Sequence, residues 1–232
     1  MKTKIELPLM NVRDVVLFPD AYQQLIVGRR FTIDSIQKAK QAHQGRIIVI
    51  TQKAVQKVSP LSKSDMYSVG TVCRIEKSVM LSDGTMKVLL QGERTVSVGL
   101  VLEKDGVRFA LGTFGRAKAS GKKLSRDVKR QVLSLLLKWN PALALDDDEE
   151  RFDTLKKETE LTGFVSTVSG LISHPRPDGL FKGLNLKASP KKLGQVNLRI
   201  KKRQCLLEES SAGKRLLLIR EILSEEIHSG AY

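Results

Sequence analysis

The segment Gly115-Arg116-Ala117-Lys118-Ala119-Ser120-Gly121-Lys122-Lys123 is the nearest approach to a phosphate-binding loop in this chain. Such a loop holds phosphates with backbone amides between two glycines, a lysine after the second, and a Ser or Thr hydroxyl on magnesium. Here the glycine spacing is one residue too long, and Lys123 stands where the hydroxyl is needed. No ATP site is expected. The histidines His43, His174 and His228 lie in three separate segments, each expected at a helix end or on the surface, and none has zinc-ligand spacing. The acidic run Asp146-Asp147-Asp148-Glu149-Glu150 lacks the alternating ligands and central glycine of a calcium loop. It reads instead as a solvated loop or a first helical turn, where acids favour the positive end of the helix dipole. Cys73 and Cys205 follow no metal or redox spacing and read as two buried free thiols in a reducing cytoplasm. No nucleophile with its base in a recognisable context is present. The expectation is a chain with no catalytic residue, no metal and no cofactor.

Charge is the unusual bulk property. Lys and Arg number 40 against 25 acids, a formal net charge of +15. The bases gather in two places. Lys122, Lys123, Arg126, Lys129 and Arg130 open one predicted helix, and Lys191, Lys192, Arg199, Lys201, Lys202 and Arg203 form a second cluster. Basic patches attract nucleic acid, anionic lipid or acidic proteins, but charged runs also serve simply as solvated surface. Few aromatics are interleaved for base stacking. Nucleic-acid binding is therefore the alternative reading: phosphate contacts, without sequence preference and steeply salt-dependent.

The elements that must position these groups change period along the chain. The first half is β-rich: Ile5–Met10, Tyr22–Val27, Arg46–Thr51, Gly70–Glu76, Met86–Leu90, Thr95–Leu102 and Val107–Leu111. Ser82-Asp83-Gly84 and Lys104-Asp105-Gly106 carry the Asp-Gly pair of tight hairpins. One helix interrupts the strands, with Thr32 as its expected cap, Phe31 stapled onto Ile36, and Gly45 as its stop. After the Gly/Ala/Ser/Lys-rich stretch Gly112–Gly121 the pattern turns helical. Val128–Trp139 after a Ser125 cap, Leu161–Ile172, a short helix at Lys201–Glu208 and Leu216–Ile227 each carry an apolar stripe. No apolar run is long enough to span a membrane, and the polar Met1–Glu6 is no secretory signal. The organisation read here is α+β: a β-rich domain over residues 1–115 and a helical subdomain over 116–232.

An ordered set of short motifs resembles the N-terminal domain of the Lon protease family. Pro8, then Arg13-Asp14 with Pro19, then Val27-Gly28-Arg29 before a helix, match the start of that family. Asp65-Met66-Tyr67-Ser68-Val69-Gly70-Thr71-Val72 resembles its strand entry, and Asp83-Gly84-Thr85 with Gly92-Glu93-Arg94 its hairpin and Gly-x-x-Arg turn. The likeness is strong over 5–98. It is looser in the helical half, at Leu135–Pro141, Lys202–Glu208 and Leu216–Ile227. On physical grounds alone the Gly and Pro positions serve the backbone, and Arg13 with Asp14 forms a local pair.

The resemblance implies a PUA-like β-barrel or twisted sheet followed by a helical subdomain, which in that family recognises protein substrates for a hexameric ATP-dependent serine protease. The ATPase domain and Ser–Lys dyad of such a protease lie outside this chain. The expected function is non-catalytic recognition of unfolded or damaged polypeptides in the cytoplasm, with a Lon-type protease or self-association as further partners. Leu17, Phe18, Phe109 and Phe114 are the candidate apolar contacts. The last helix runs into Ser229-Gly230 where the family continues as a charged coiled coil, which favours a stand-alone protein.

Overall fold

A computed structural model describes residues 3–58, 62–114, 123–144, 149–173 and 189–228. The chain divides into two compact units, Met1–Arg116 and Ala117–Tyr232.

Alternating apolar residues build the first unit. Strands β1 (Lys4–Val12), β2 (Tyr22–Val27), β3 (Arg46–Thr51), β4 (Val69–Met80), β5 (Met86–Lys104) and β6 (Val107–Phe114) lie in the order β2-β5-β4-β3-β1-β6. A further β5–β6 pairing closes β5, β4, β3, β1 and β6 into a ring, with β2 added on the first half of β5. Helix α1 (Arg30–Ala42) lies in the crossover that parallel β1–β3 pairing requires. The pleat sends successive residues to opposite faces. Met10, Val12, Ile47 and Val49 thus join Ile33, Ile36 and Ala39 of α1 in one core cluster. Leu7, Leu9, Ile48 and Ile50 join Met66, Val72, Val96 and Val98 in another.

Close backbone approaches at two glycines set the shape. A Cβ on Gly92 would stand 2.1 Å from the Phe18 carbonyl oxygen, and one on Gly70 2.4 Å from that of Val49. At Gly92 the approach is sealed by hydrogen bonds: Asp20 N donates to the Gly92 carbonyl at 2.9 Å, and Gly92 N donates to that of Ala21 at 2.8 Å. The β4–β5 register slips beside it, with Val72 opposite Arg94 but Cys73 opposite Gly92. Such a bulge bends a strand without ending it. For that reason the two runs expected at Met86–Leu90 and Thr95–Leu102 are one strand. The skipped Glu93 receives Arg46 at 2.7 Å and Arg74 at 3.1 Å. Both Asp-Gly turns form as expected, with Gly84 at φ 79, Asp105 at φ 52 and Gly106 at φ 73.

Helix α1 departs from its expected cap. It begins at Arg30, with extended Arg29 at the N-cap and no side-chain cap bond, so Thr32 is inside the first turn and buried. The helix stops at Gln44 and Gly45, both at positive φ. His43 caps its C-terminus and meets the Phe109 ring edge-on at 5.7 Å.

The second unit is helical: α2 (Arg126–Trp139), α3 (Glu149–Lys157), α4 (Leu161–Leu171), α5 (Pro190–Glu208) and α6 (Ala212–His228). Helix α6 packs on α2, α4 and α5. Ser189 receives the Lys192 amide and Pro190 starts α5, so the expected short helix at Lys201–Glu208 is the last part of a longer one. The acidic run reaches α3 at Glu149 and Glu150; Asp146–Asp148, Lys122 and His174 lie outside the described residues. Cys73 is buried as expected, and burial with nearby Glu93 pushes its thiol up, but Cys205 is exposed. Position 205 falls on the outward face of α5, between buried Gln204 and Leu206.

The Gly92 contact predicts a specific asymmetry. Gly92→Ala should destabilise the first unit by about 2–3 kcal/mol, because backbone must move to admit the methyl. Gly194→Ala in α5, with nothing within 4 Å, should instead stabilise its helix by about 0.5–1 kcal/mol. Denaturant unfolding of the two variants checks this; a neutral Gly92→Ala would contradict the close approach.

Candidate functional site

Strand β2 pairs with β5 alone among the described residues. Its outer face carries Ile26, 67% exposed, in register with Lys87 and, beyond it, Val79 at 58%. Met80, on the opposite face in register with buried Met86, and Leu81 in the β4–β5 hairpin are exposed as well, and Tyr22 is exposed at the other end of β2. An exposed strand edge presents unpaired amides and carbonyls, which proteins usually cover or charge. Here it is bordered by side chains that would ordinarily be buried.

Immediately beside that edge, a cavity of about 380 Å³ opens between residues 11–15, the end of β2 and the first turn of α1. Its lining includes Arg13, Asp14, Ile26, Arg29 and Thr32. Arg29 Nη1 and Nη2 both donate to Gln52 Oε1 at 3.2 Å. Gln52 is fully buried and spends its amide on the carbonyls of Ala54 at 2.7 Å and Lys57 at 3.0 Å, so it holds the guanidinium in place. Burial, then the charges of Arg13 and Arg108, bring the Arg29 pKa down to about 10. Arg13 and Asp14 do not form the local pair expected of them; Arg13 stays half-buried beside the cavity. Thr32 is 1% exposed and its hydroxyl has no partner among the described residues.

The apolar residues expected to touch substrate are placed differently. Leu17, Phe18 and Phe109 are buried among core side chains, where they hold the fold. Phe114 is half-buried, with the Arg94 guanidinium 4.6 Å above its ring. The exposure of Ile26 and Val79 was not legible as such, because strand alternation names a face without telling which face is covered.

The two basic clusters divide by role. Arg203 is 0% exposed, bonded to the Ile172 carbonyl at 2.7 Å and to Glu226 at 2.7 Å, while Trp139 Nε1 donates to the same carboxylate at 2.7 Å. Lys202 is paired with Glu221 at 3.0 Å and with Glu225. Lys129 donates to the carbonyls of Lys156 and Glu158 at the end of α3. Arg203, Lys202 and Lys129 are thus committed to the fold and do not form a phosphate-binding surface. Lys123 meets Glu160 through a backbone β-bridge, and Lys123, Arg126, Arg130, Lys191, Lys192 and Lys201 are exposed. Among the described residues there is no cluster of His, Cys, Asp and Glu fit to hold a metal ion, and no helix long and apolar enough to cross a membrane.

Comparison with known proteins now decides the family. The profile of the ATP-dependent protease La (LON) substrate-binding domain matches residues 6–186. The chain belongs to this family. It is 35% identical over 132 residues to the Lon protease of Xanthomonas oryzae pv. oryzae, covering 57% of this chain and 15% of that protein. With the Lon protease of Escherichia coli K12 it shares 24% identity over 229 residues, 97% of this chain and 25% of that protein. The LON-family chain thus spans a quarter or less of these relatives. Its α+β fold matches the N-terminal domain of Mycobacterium avium complex Lon protease with a TM-score of 0.62 at 16% identity, covering 95% of this chain and 99% of that one. The Lon N-terminal domain protein of Xanthomonas campestris aligns with a TM-score of 0.53 at 17% identity, covering 91% and 95%.

The buried triad yields a pH prediction. Burial alone would raise the Glu226 carboxyl, but the Arg203 charge and the hydrogen bonds from Arg203 and Trp139 hold it below the ordinary carboxylate value. A depressed folded pKa adds stability above the unfolded value, about 4.3, and that contribution fades as pH falls through the folded one. Arg203→Met strands the carboxylate and should cost about 3–5 kcal/mol at pH 7, less below about pH 4 as Glu226 takes up a proton. Thermal melts from pH 7 to pH 3 check the sign; a cost that grows on acidification would contradict it.

Proposed function

We propose that this chain recognises polypeptides at the outer edge of β2 and the apolar side chains around it, and performs no catalysis of its own. The observation that carries this reading is the exposure of Ile26 on the edge strand, with Val79 exposed beyond Lys87 on β4, in a family described as substrate-binding. An extended segment added to β2 would gain backbone hydrogen bonds whatever its sequence, and alternate side chains would meet the Ile26 surface. Unfolded or damaged proteins offer both features; folded ones have already paired their strands and buried their apolar groups. The relatives named Lon protease support a role in feeding substrate to an ATP-dependent protease, with a Lon-type protease or a second copy as partner in the cytoplasm. Against the nucleic-acid alternative stands the commitment of Lys129, Lys202 and Arg203 to internal bonds.

The test is fluorescence anisotropy with a labelled protein kept unfolded by reduction and alkylation, compared with its native form. The unfolded form should bind and the native form should not. Ile26→Lys should weaken binding about tenfold, the loss of one buried aliphatic anchor. Leu217→Lys, at a position 62% exposed on α6, should leave it unchanged. Equal binding of both forms, or an Ile26→Lys variant that binds as the parent does, would remove the proposal.

A further inference from the structure

The cavity beside β2 holds more cationic and donor capacity than the fold uses. At the first turn of α1, the N-cap residue Arg29 makes no side-chain cap bond and no acid is present in that turn. The leading amides of a helix need outside acceptors, and together they favour an anion. Here Thr32 N and Ile33 N both donate to the Arg29 carbonyl, at 2.9 and 3.1 Å, which leaves the amides of Arg30 and Phe31 ahead of them. A bare helix start is common at the surface, where water serves. This one adjoins a cavity lined by Thr32, 1% exposed with a hydroxyl that has no partner among the described residues. A buried hydroxyl left unbonded is costly, and a bound acceptor would recover that cost. Arg13 and Arg29 stand in the same lining, and neither has an ion pair among the described residues. Arg108 is close enough to act on Arg29; its Nε pairs with Glu103 at 3.9 Å, while its buried Nη1 has no partner among the described residues.

We propose that this cavity is a carboxylate-binding subsite, with Arg13, the uncommitted N–H groups of Arg29, the Thr32 hydroxyl and the amides of Arg30 and Phe31 as its donors. The proposal rests on the reading of β2 as a polypeptide-binding edge, and gives that edge an end stop. A client segment lying along β2 would place a carboxylate, from its own C-terminus or from an Asp or Glu side chain, among these donors. Three features select a carboxylate over a phosphate. A planar guanidinium matches a planar carboxylate in paired hydrogen bonds. Asp14 shares the lining and disfavours a dianion. The rest of the wall is aliphatic, from Val12, Val15, Leu25 and Val27, and suits the side chain that accompanies a carboxylate in a peptide.

The probe is N-acetyl-leucine, a carboxylate beside one aliphatic group, titrated into the whole chain and followed by NMR at the amides of Arg13 and Arg30–Thr32. N-acetyl-leucinamide, N-acetyl-glutamic α-amide and inorganic phosphate are run beside it. The carboxylate should shift those amides, and the leucinamide should bind about tenfold more weakly, the value of one charge-assisted contact. Response to the glutamic compound assigns the side-chain source; response to N-acetyl-leucine alone assigns the chain terminus. Thr32→Val, which removes only an unpartnered hydroxyl and should fold normally, and Arg13→Gln should each weaken the carboxylate several-fold. Equal binding of acid and amide, tighter binding of phosphate, or shifts that avoid α1 would each overturn the subsite. The two readings fail separately. Unfolded protein that still needs Ile26 while acid and amide bind alike removes the subsite alone. Carboxylate binding with an unfolded protein indifferent to Ile26 removes the strand-edge reading and leaves a carboxylate site.

Discussion

The contact on which the first unit depends is the one between Gly92 and the Phe18 carbonyl oxygen, 2.1 Å from where a Cβ would sit. It lets residues 18–21 lie against β5, and the two backbone hydrogen bonds at Gly92 fasten them there. From that anchor β2 leaves along the first half of β5, with Tyr22 opposite Gln91 and Val27 opposite Met86. The same bend lets β5 exchange β2 for β6 as its neighbour without ending. The edge strand is therefore held in place by its start and by one partner, which leaves its other side accessible among the described residues.

Electrostatics are arranged unevenly over the described residues. Glu93 is placed between Arg46 and Arg74, Glu226 faces Arg203, and Glu221 and Glu225 share Lys202. Burial by itself would raise Glu93 and Glu226, yet the neighbouring guanidinium groups hold both below the ordinary carboxylate value. Beside β2 the pattern reverses. Burial and two further arginines lower Arg29, whose guanidinium is held by the amide of Gln52 rather than by a carboxylate among the described residues. A pairing rule followed elsewhere and left open here is the kind of local inconsistency that marks a binding site.

Much of this was legible in the amino-acid order. Tyr22–Val27 and Arg46–Thr51 are bounded where the alternation places them, and both Asp-Gly turns adopt the positive φ angles their residues favour. The motif Val27-Gly28-Arg29 and the pair Arg13-Asp14 were visible as a resemblance, and were read as serving the backbone. Their convergence on one cavity depends on tertiary placement: residues 11–15 and 27–32 meet only because β1 and α1 cross the same end of the sheet. Thr32 was misread because Ser and Thr are favoured caps, whereas it is buried and the N-cap falls three residues earlier, at Arg29. Leu17, Phe18 and Phe109 were candidate contacts as large apolar residues, and such residues are most often core, where the fold places them. The Arg203–Glu226–Trp139 triad joins α2, α5 and α6, and no local pattern relates positions so far apart in sequence.

The proposed strand addition sets an extended polypeptide along the outer edge of β2. Amide hydrogen exchange of the whole chain, with and without saturating unfolded protein, tests this most directly. The prediction is new protection at alternate amides of Tyr22–Val27, the half that points away from β5, with the exchange of β3 unchanged. Protection confined to the helical unit, or none in β2 under conditions where the unfolded protein is bound, would contradict it.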